Sequence, residues 1–330
     1  MKLLIAYDGS KCAEAAIDDL ARAGLPANGS AHVISVAEVF LPPQSSTCGD
    51  SQEAASPHVE EMVRRYRERS EEIVAEAAML ARYAESRVRA ALPKWSVSSA
   101  ATCGSPAWEI IDASEKQASK LIVVGSQGHS ALGRFFLGSI SQKVLTEASC
   151  SVRVARGRIE VEKGSERIVV GFDGSKGAMA AVDAVAARNW PGGSEVRLIA
   201  VSEPVVPSTI GRFVPPIAKM IDEVNVSERR WIEKLSEGAL EDLCRSGLTP
   251  YLHVRPGNPK HALVEEAERW GADCIFVGAN AWGSRLERTL IGSTSAAVAA
   301  RAHCSVEVVR SNSETNRAET AAVKPNGSSG

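Results

Sequence analysis

Aromatic residues make up only 5% of the chain, too few for the stacking platforms on which proteins hold single-stranded nucleic acid. Excess charge is missing as well. The 38 Lys+Arg and 40 Asp+Glu leave a net charge of −2, so no global field draws the chain to nucleic acid or to an anionic membrane. No apolar run reaches the ~18–20 residues needed to span a bilayer. The seven cysteines are an odd number without Cys-x2-Cys spacing, which speaks against a disulfide framework and against a zinc site. His253, His261 and His303 also lack metal-ligand spacing. No signal peptide precedes the first apolar segment, Leu3-Leu4-Ile5-Ala6. These absences predict a cytoplasmic protein with neither nucleic acid nor membrane as partner. The P-loop pattern Gly-x4-Gly-Lys-Ser/Thr is absent, as are Gly-x-Gly-x2-Gly, His-Glu-x2-His and Gly-x-Ser-x-Gly. The usual engines of hydrolysis and hydride transfer are therefore not encoded.

What is present is a repeat. At 330 residues the chain has room for two domains, each with its own core. Buried-type strands alternate with amphipathic helices, which predicts an α/β fold with a parallel sheet and helices on both faces. Tyr7-Asp8-Gly9-Ser10 is echoed by Phe172-Asp173-Gly174-Ser175, an offset of 173 − 8 = 165. Val36 and Val201, at the ends of the next strands, keep that offset. Leu121 to Gly125 is echoed by Cys274 to Gly278, and Cys150-Ser151-Val152 by Cys304-Ser305-Val306. Indels confined to loops, with strands in register, indicate duplication. The boundaries predicted are 1–155 and 167–310, with a charged linker over 156–166 and a disordered tail over 311–330. Between Val59 and Leu92 a charged helix is expected, with Met62, Val63, Tyr66, Ile73, Val74 and Ala77 as its inward stripe.

The chemistry is expected where the strand Leu121–Val124 gives way to a loop running from Gly125 through Gly128 to Gly138-Ser139. Glycines at both ends let backbone N–H groups approach a ligand without a Cβ in the way. Gly138 and Ser139 would place unpaired amides and a hydroxyl at a helix N-terminus, where the dipole favours an anion. A phosphate chain is the natural occupant. Asp8 also suits a turn or a helix cap, and Val36 a place in the core.

At these residues the sequence resembles the universal stress protein family, whose nucleotide-binding members carry Gly-x2-Gly-x9-Gly-Ser/Thr here. Gly125, Gly128, Gly138 and Ser139 meet that pattern without a gap. The resemblance covers Lys2 to Arg310 as two tandem domains. It implies two doubly wound five-stranded parallel sheets, each in the order 3-2-1-4-5, of the adenine nucleotide alpha hydrolase-like type. In that order the topology switches between strands 1 and 4, where ligands bind at the carboxyl ends. It further implies ATP, with or without Mg²⁺, with Asp8 and Val36 on the nucleoside and the glycine loop on the phosphates. The function implied is that of a stress-response regulator or sensor acting through a protein partner. A nucleotide-independent interaction module and a slow ATPase are the alternatives.

The second half departs from the pattern. Its loop runs from Gly278 to Gly292-Ser293 with Ala281 where the second glycine belongs, and 292 − 278 = 14 against 138 − 125 = 13 shows one inserted residue. Gly283 is the candidate replacement, and Asp173 and Val201 are retained. Cys150 and Cys304 read as small buried hydrophobes before each last strand. The resemblance also implies association through the last strands, Val152-Arg153-Val154 and Val306-Glu307-Val308, which are otherwise exposed edges. This gives an intramolecular pseudo-dimer or a homodimer, and halves that self-associate or aggregate when separated.

Overall fold

The computed structural model describes residues 1–39, 57–127, 137–156, 164–202, 215–279 and 291–311. In the first half, β1 (Lys2–Ala6), α1 (Lys11–Asp19), β2 (Ser30–Ala37), α2 (Pro57–Ala91), β3 (Ser96–Cys103), α3 (Pro106–Lys116), β4 (Leu121–Gly125), α4 (Ser139–Glu147) and β5 (Ser151–Ala155) follow in order. The second half repeats them as β6 (Arg167–Phe172), α5 (Lys176–Ala186), β7 (Glu195–Ser202), α6 (Pro215–Arg245), β8 (Thr249–Pro256), α7 (Pro259–Trp270), β9 (Cys274–Gly278), α8 (Ser293–Arg301) and β10 (Ser305–Val309). Within each half the strands are parallel and lie in the order 3-2-1-4-5. The two five-stranded sheets are joined into one ten-stranded sheet, because β5 and β10 pair antiparallel, with Arg153 opposite Glu307.

The strands β1, β4, β6 and β9 are unbroken apolar runs because helices cover both of their faces. On the α1–α2 face, Leu3, Ile5, Ile17, Leu20 and Val123 form one core; Ile168, Val170, Val182 and Phe276 form its counterpart against α5 and α6. The opposite face has a single core that runs across the β5–β10 junction and joins Val144, Leu145, Val152 and Val154 to Val298, Val306 and Val308. Burial of that continuous apolar surface, at ~25 cal/mol per Å², holds the halves together on one side.

The stripe expected on α2 is only partly inward. Ala77, Ala81, Ala84 and Val88 are buried, but Met62, Val63 and Tyr66 are exposed. The reason is length. A helix of 35 residues spans ~52 Å at 1.5 Å per residue, about twice the reach of an eight-residue strand. Its first turns therefore overhang the sheet, and the apolar period continues past the surface it would cover. The same holds for α6, where Met220, Val224 and Trp231 are exposed. Among the described residues no helix is long and apolar enough to cross a membrane.

The ends of the segment read as a linker are anchored. Arg156 donates its backbone N–H to Ser305 Oγ at 2.9 Å, and Glu166 is buried against Arg22 at 2.9 Å. The expected tail lies, from residue 312 onward, outside the described residues.

Candidate functional site

β1 ends two residues before Asp8, and β4 ends at Gly125. Because β1 lies between β2 and β4, these termini flank the point where the winding reverses, and a crevice opens there at the carboxyl edge. Asp8 is exposed at its mouth and accepts a hydrogen bond from the Ser10 N–H on Oδ1 at 3.0 Å. Asp173 does the same with Ser175 at 2.9 Å. Each aspartate is thus held by its own turn, and Gly9 and Gly174, at φ +78° and +73°, adopt the left-handed conformation that this turn requires.

Ser10 then caps α1, its Oγ accepting from the Ala13 N–H at 3.2 Å; Ser175 caps α5 from Ala178 at 3.1 Å. The helices on the other side of the crevice begin differently. Gly138 is the N-cap of α4 and Gly292 that of α8, with extended backbones and no side-chain cap. The first amides of α4 and α8 therefore lack the partner that a Ser or Asp cap would provide. Ser139 and Ser293, the first helical residues, are exposed there. Such a terminus offers N–H donors and the positive end of the helix dipole to an anion.

The base of each loop is closed in the same way. The Gly138 N–H donates to the Ser126 carbonyl at 2.9 Å, and the Gly292 N–H to the Ala279 carbonyl at 2.6 Å. Ser141 Oγ donates to the Gly125 carbonyl at 2.7 Å, and Ser295 Oγ to the Gly278 carbonyl at 2.6 Å. These two serines tie the first turn of each helix to the end of the preceding strand. They are not among the residues expected from the sequence. Their spacing, 295 − 141 = 154, is that of the repeat itself, so a residue-by-residue alignment of the two halves singles them out. Gly128 and Gly283 lie outside the described residues, as do Ala281 and the rest of both loop interiors.

Two glycines have another reason than ligand approach. A Cβ on Gly125 would stand 2.8 Å from the Cys12 backbone, and one on Gly278 would run closer still into the Gly177 backbone. Both are required by the passage of α1 and α5 across the strand ends. Val36 and Val201 are half-buried and pack against the core shared by the halves, so each is a core residue at the rim of the crevice. Tyr7 turns away altogether. It is buried between α1 and α2 and donates to Glu14, and burial together with that carboxylate pushes its phenol above the ordinary value.

The six described cysteines are free. Burial pushes the Cys150 thiol up, raises Cys304 to about 12, and raises Cys274 further still. A thiolate is the reactive form, so these three are expected to resist iodoacetamide at a pH of about 8 in the folded protein while exposed Cys244 is alkylated. Peptide mapping checks this; labelling of Cys304 as fast as Cys244 would contradict it.

The model of the universal stress protein family matches twice, at residues 1–156 and 164–310. A universal stress protein of Thermus aquaticus is 34% identical over 154 residues, 47% of this chain and 97% of that protein. One from Mycolicibacterium smegmatis is 29% identical over 214 residues, 61% of this chain and 64% of that protein. The crystal structure of a universal stress protein from Archaeoglobus fulgidus shares the fold over 95% of this chain and 97% of that one, with a TM-score of 0.56 at 22% identity. Two matches of one family model, falling on the two halves of one continuous sheet, leave a single conclusion: the chain belongs to the universal stress protein family, with two of its domains in tandem.

Proposed function

We propose that this chain binds an adenine nucleotide at the carboxyl ends of β1 and β4, and that the nucleotide is ATP, with or without Mg²⁺. The observation that supports this most is the N-terminus of α4 at the topological switch point, which has no side-chain cap, whereas α1 across the crevice is capped by Ser10. The Gly138 N–H, expected to be unpaired, is held by the Ser126 carbonyl, so the phosphates would lie on the Ser139 amide and hydroxyl, beside the bare Cα of Gly138, and on the loop from Gly125 through Gly128. Asp8 and the rim at Val36 would meet the nucleoside. Mg²⁺, when bound, would neutralise phosphate charge. The domains would be 1–155 and 167–310, and the role that of a cytoplasmic regulator or sensor in a stress response, read by a protein partner. Calorimetric titration with Mg-ATP tests it. Saturable binding is expected; no binding by folded protein would leave the nucleotide-independent interaction module in its place. A multiple-turnover assay separates a binder from a slow ATPase.

The second site would use Asp173, Val201, Gly278, Gly283, Gly292 and Ser293. Its loop base and open helix end match those of the first half, whereas its loop carries Ala281 and one more residue. It should bind at least about tenfold more weakly, a difference of ~1.4 kcal/mol, comparable to one or two backbone hydrogen bonds. Titration of Gly138→Asp and Gly292→Asp separately resolves the two sites. If Gly292→Asp removes the tighter one, the ranking is wrong.

A further inference from the structure

The β5–β10 junction has a close internal twofold relation, broken where charged side chains meet across it. Arg156 leaves β5 and crosses to the end of α8, donating to the Ala299 carbonyl at 2.7 Å; Arg310 leaves β10 and donates to the Leu145 carbonyl at the end of α4, also at 2.7 Å. Ser305 Oγ accepts from the Arg156 N–H, and Ser151 Oγ accepts from the Arg310 N–H. All of these pairs keep one offset, 310 − 156 = 305 − 151 = 299 − 145 = 154. In a true twofold dimer through this strand, the residue on the axis would meet its own copy. Here the axis falls on Arg153 and Glu307, which are directly opposite in register and share the offset of 154.

The two axis residues are buried and of opposite charge. Arg153 binds Asp19 with two hydrogen bonds, at 2.6 and 3.2 Å, and reaches Glu307 at 3.5 Å; Glu307 in turn is bound by Arg188. The buried charges thus alternate across the junction: Asp19, Arg153, Glu307, Arg188. Burial opposes the charge on Arg153, but Asp19 and Glu307 outweigh it, so its guanidinium is held protonated. A first half paired with its own copy would give the order Asp, Arg, Arg, Asp. A second half paired with its own copy would give Arg, Glu, Glu, Arg. Like charges would then stand side by side with water excluded, where Coulomb repulsion is strong.

A second contact follows the same rule independently. Arg22 reaches across to Glu166 at 2.9 Å and to Asp273 at 2.6 Å. The first-half equivalent of Asp273 is Lys120 (273 − 120 = 153, the offset of the adjacent strand), so a first half paired with its copy would set Arg22 toward a lysine. The second-half equivalent of Arg22 is Ala187 (187 − 22 = 165), which supplies no cation for either acid.

We infer that this junction is a charge-coded recognition surface whose partner is the unlike edge: it joins the β5 edge to the β10 edge and rejects either edge paired with its own copy. The symmetric contacts supply affinity, and the alternating charges select the partner. Self-association of each half, and a homodimer through like edges, are what the code excludes. A second chain could enter only by presenting its β10 edge to this chain's β5 edge.

The test starts from the full chain with a protease site placed within residues 157–163. The folded protein, unlabelled and isotope-labelled, is cleaved, mixed, passed through mild urea and returned to buffer. Native mass spectrometry then counts the pairs, and scrambling of the label shows that halves have exchanged. Unlike pairs are expected to exceed like pairs by about a hundredfold or more; like pairs at their statistical share overturn the inference. In the intact chain, Glu307→Gln removes the axis charge and Glu307→Arg places a second guanidinium against Arg153. The melting temperature should fall for Gln and clearly further for Arg. Failure of the Arg variant alone to fold also supports the code, and equal melting temperatures of the two variants would overturn it.

Discussion

Replacing Gly138 by Asp is expected to leave the fold as stable as before or slightly more so, while lowering ATP affinity by about a hundredfold or more. The two effects have opposite signs for one physical reason. Gly138 has the extended N-cap conformation, φ −62° and ψ 152°, and caps nothing with a side chain. Asp fits that conformation, and its carboxylate would accept from the amides of the first turn, a gain over glycine of a few tenths of a kcal/mol with a similar contribution from the helix dipole. Those amides are the ones offered to phosphate. The carboxylate would occupy them and repel the anion, and a hundredfold loss is only ~2.7 kcal/mol. Thermal melts and calorimetry on the same sample check both halves of the prediction. Unchanged affinity in a folded Gly138→Asp variant would remove α4 from the site.

Replacing Gly278 by Ala is expected to act in the opposite way, on the fold first. The added Cβ would overlap the Gly177 backbone carbonyl. Backbone cannot rotate aside as a side chain does, so α5 must shift away from the sheet and disturb the core formed by Val182, Val185 and Phe276. Overpacking of this kind costs ~1–3 kcal/mol and occasionally more; with main chain on both sides, the expected loss is at the upper end of that range. Gly125→Ala, at 2.8 Å from Cys12, should cost less. Urea denaturation measures both. Wild-type stability in Gly278→Ala would mean that the helix is free to retreat and that the glycine serves something else.

The contrast between these glycines marks where the sequence stops being informative. A Gly at a strand end announces that something comes close, but not whether it is a phosphate or another backbone. Only the fold shows α1 passing over Gly125, while Gly138 is the bare cap of a helix. The strands themselves are legible because Leu121–Val124 and Cys274–Val277 must be apolar on both faces in any doubly wound sheet. The repeat is legible because strand registers survive duplication. The first turns of α2 mislead for the same reason that its last turns inform: Met62 and Tyr66 keep the helical period after the sheet beneath has ended. Arg153 and Glu307 look like charges on two edges, since a charge on an edge strand is ordinarily solvated; their pairing needs the antiparallel register of β5 with β10. Ser141 and Ser295 stand in plain view in the sequence, yet serine in a first helical turn is common and only its repetition is telling.

If the open end of α4 is a nucleotide site, the nucleotide should accompany the protein through purification. Freshly purified protein is denatured by heat, and the released small molecules are identified and quantified by mass spectrometry. An adenine nucleotide approaching one per chain is expected, reduced sharply in Gly138→Asp and only slightly in Gly292→Asp. Protein that releases no nucleotide, and after dialysis takes up no Mg-ATP, would show that α4 holds none.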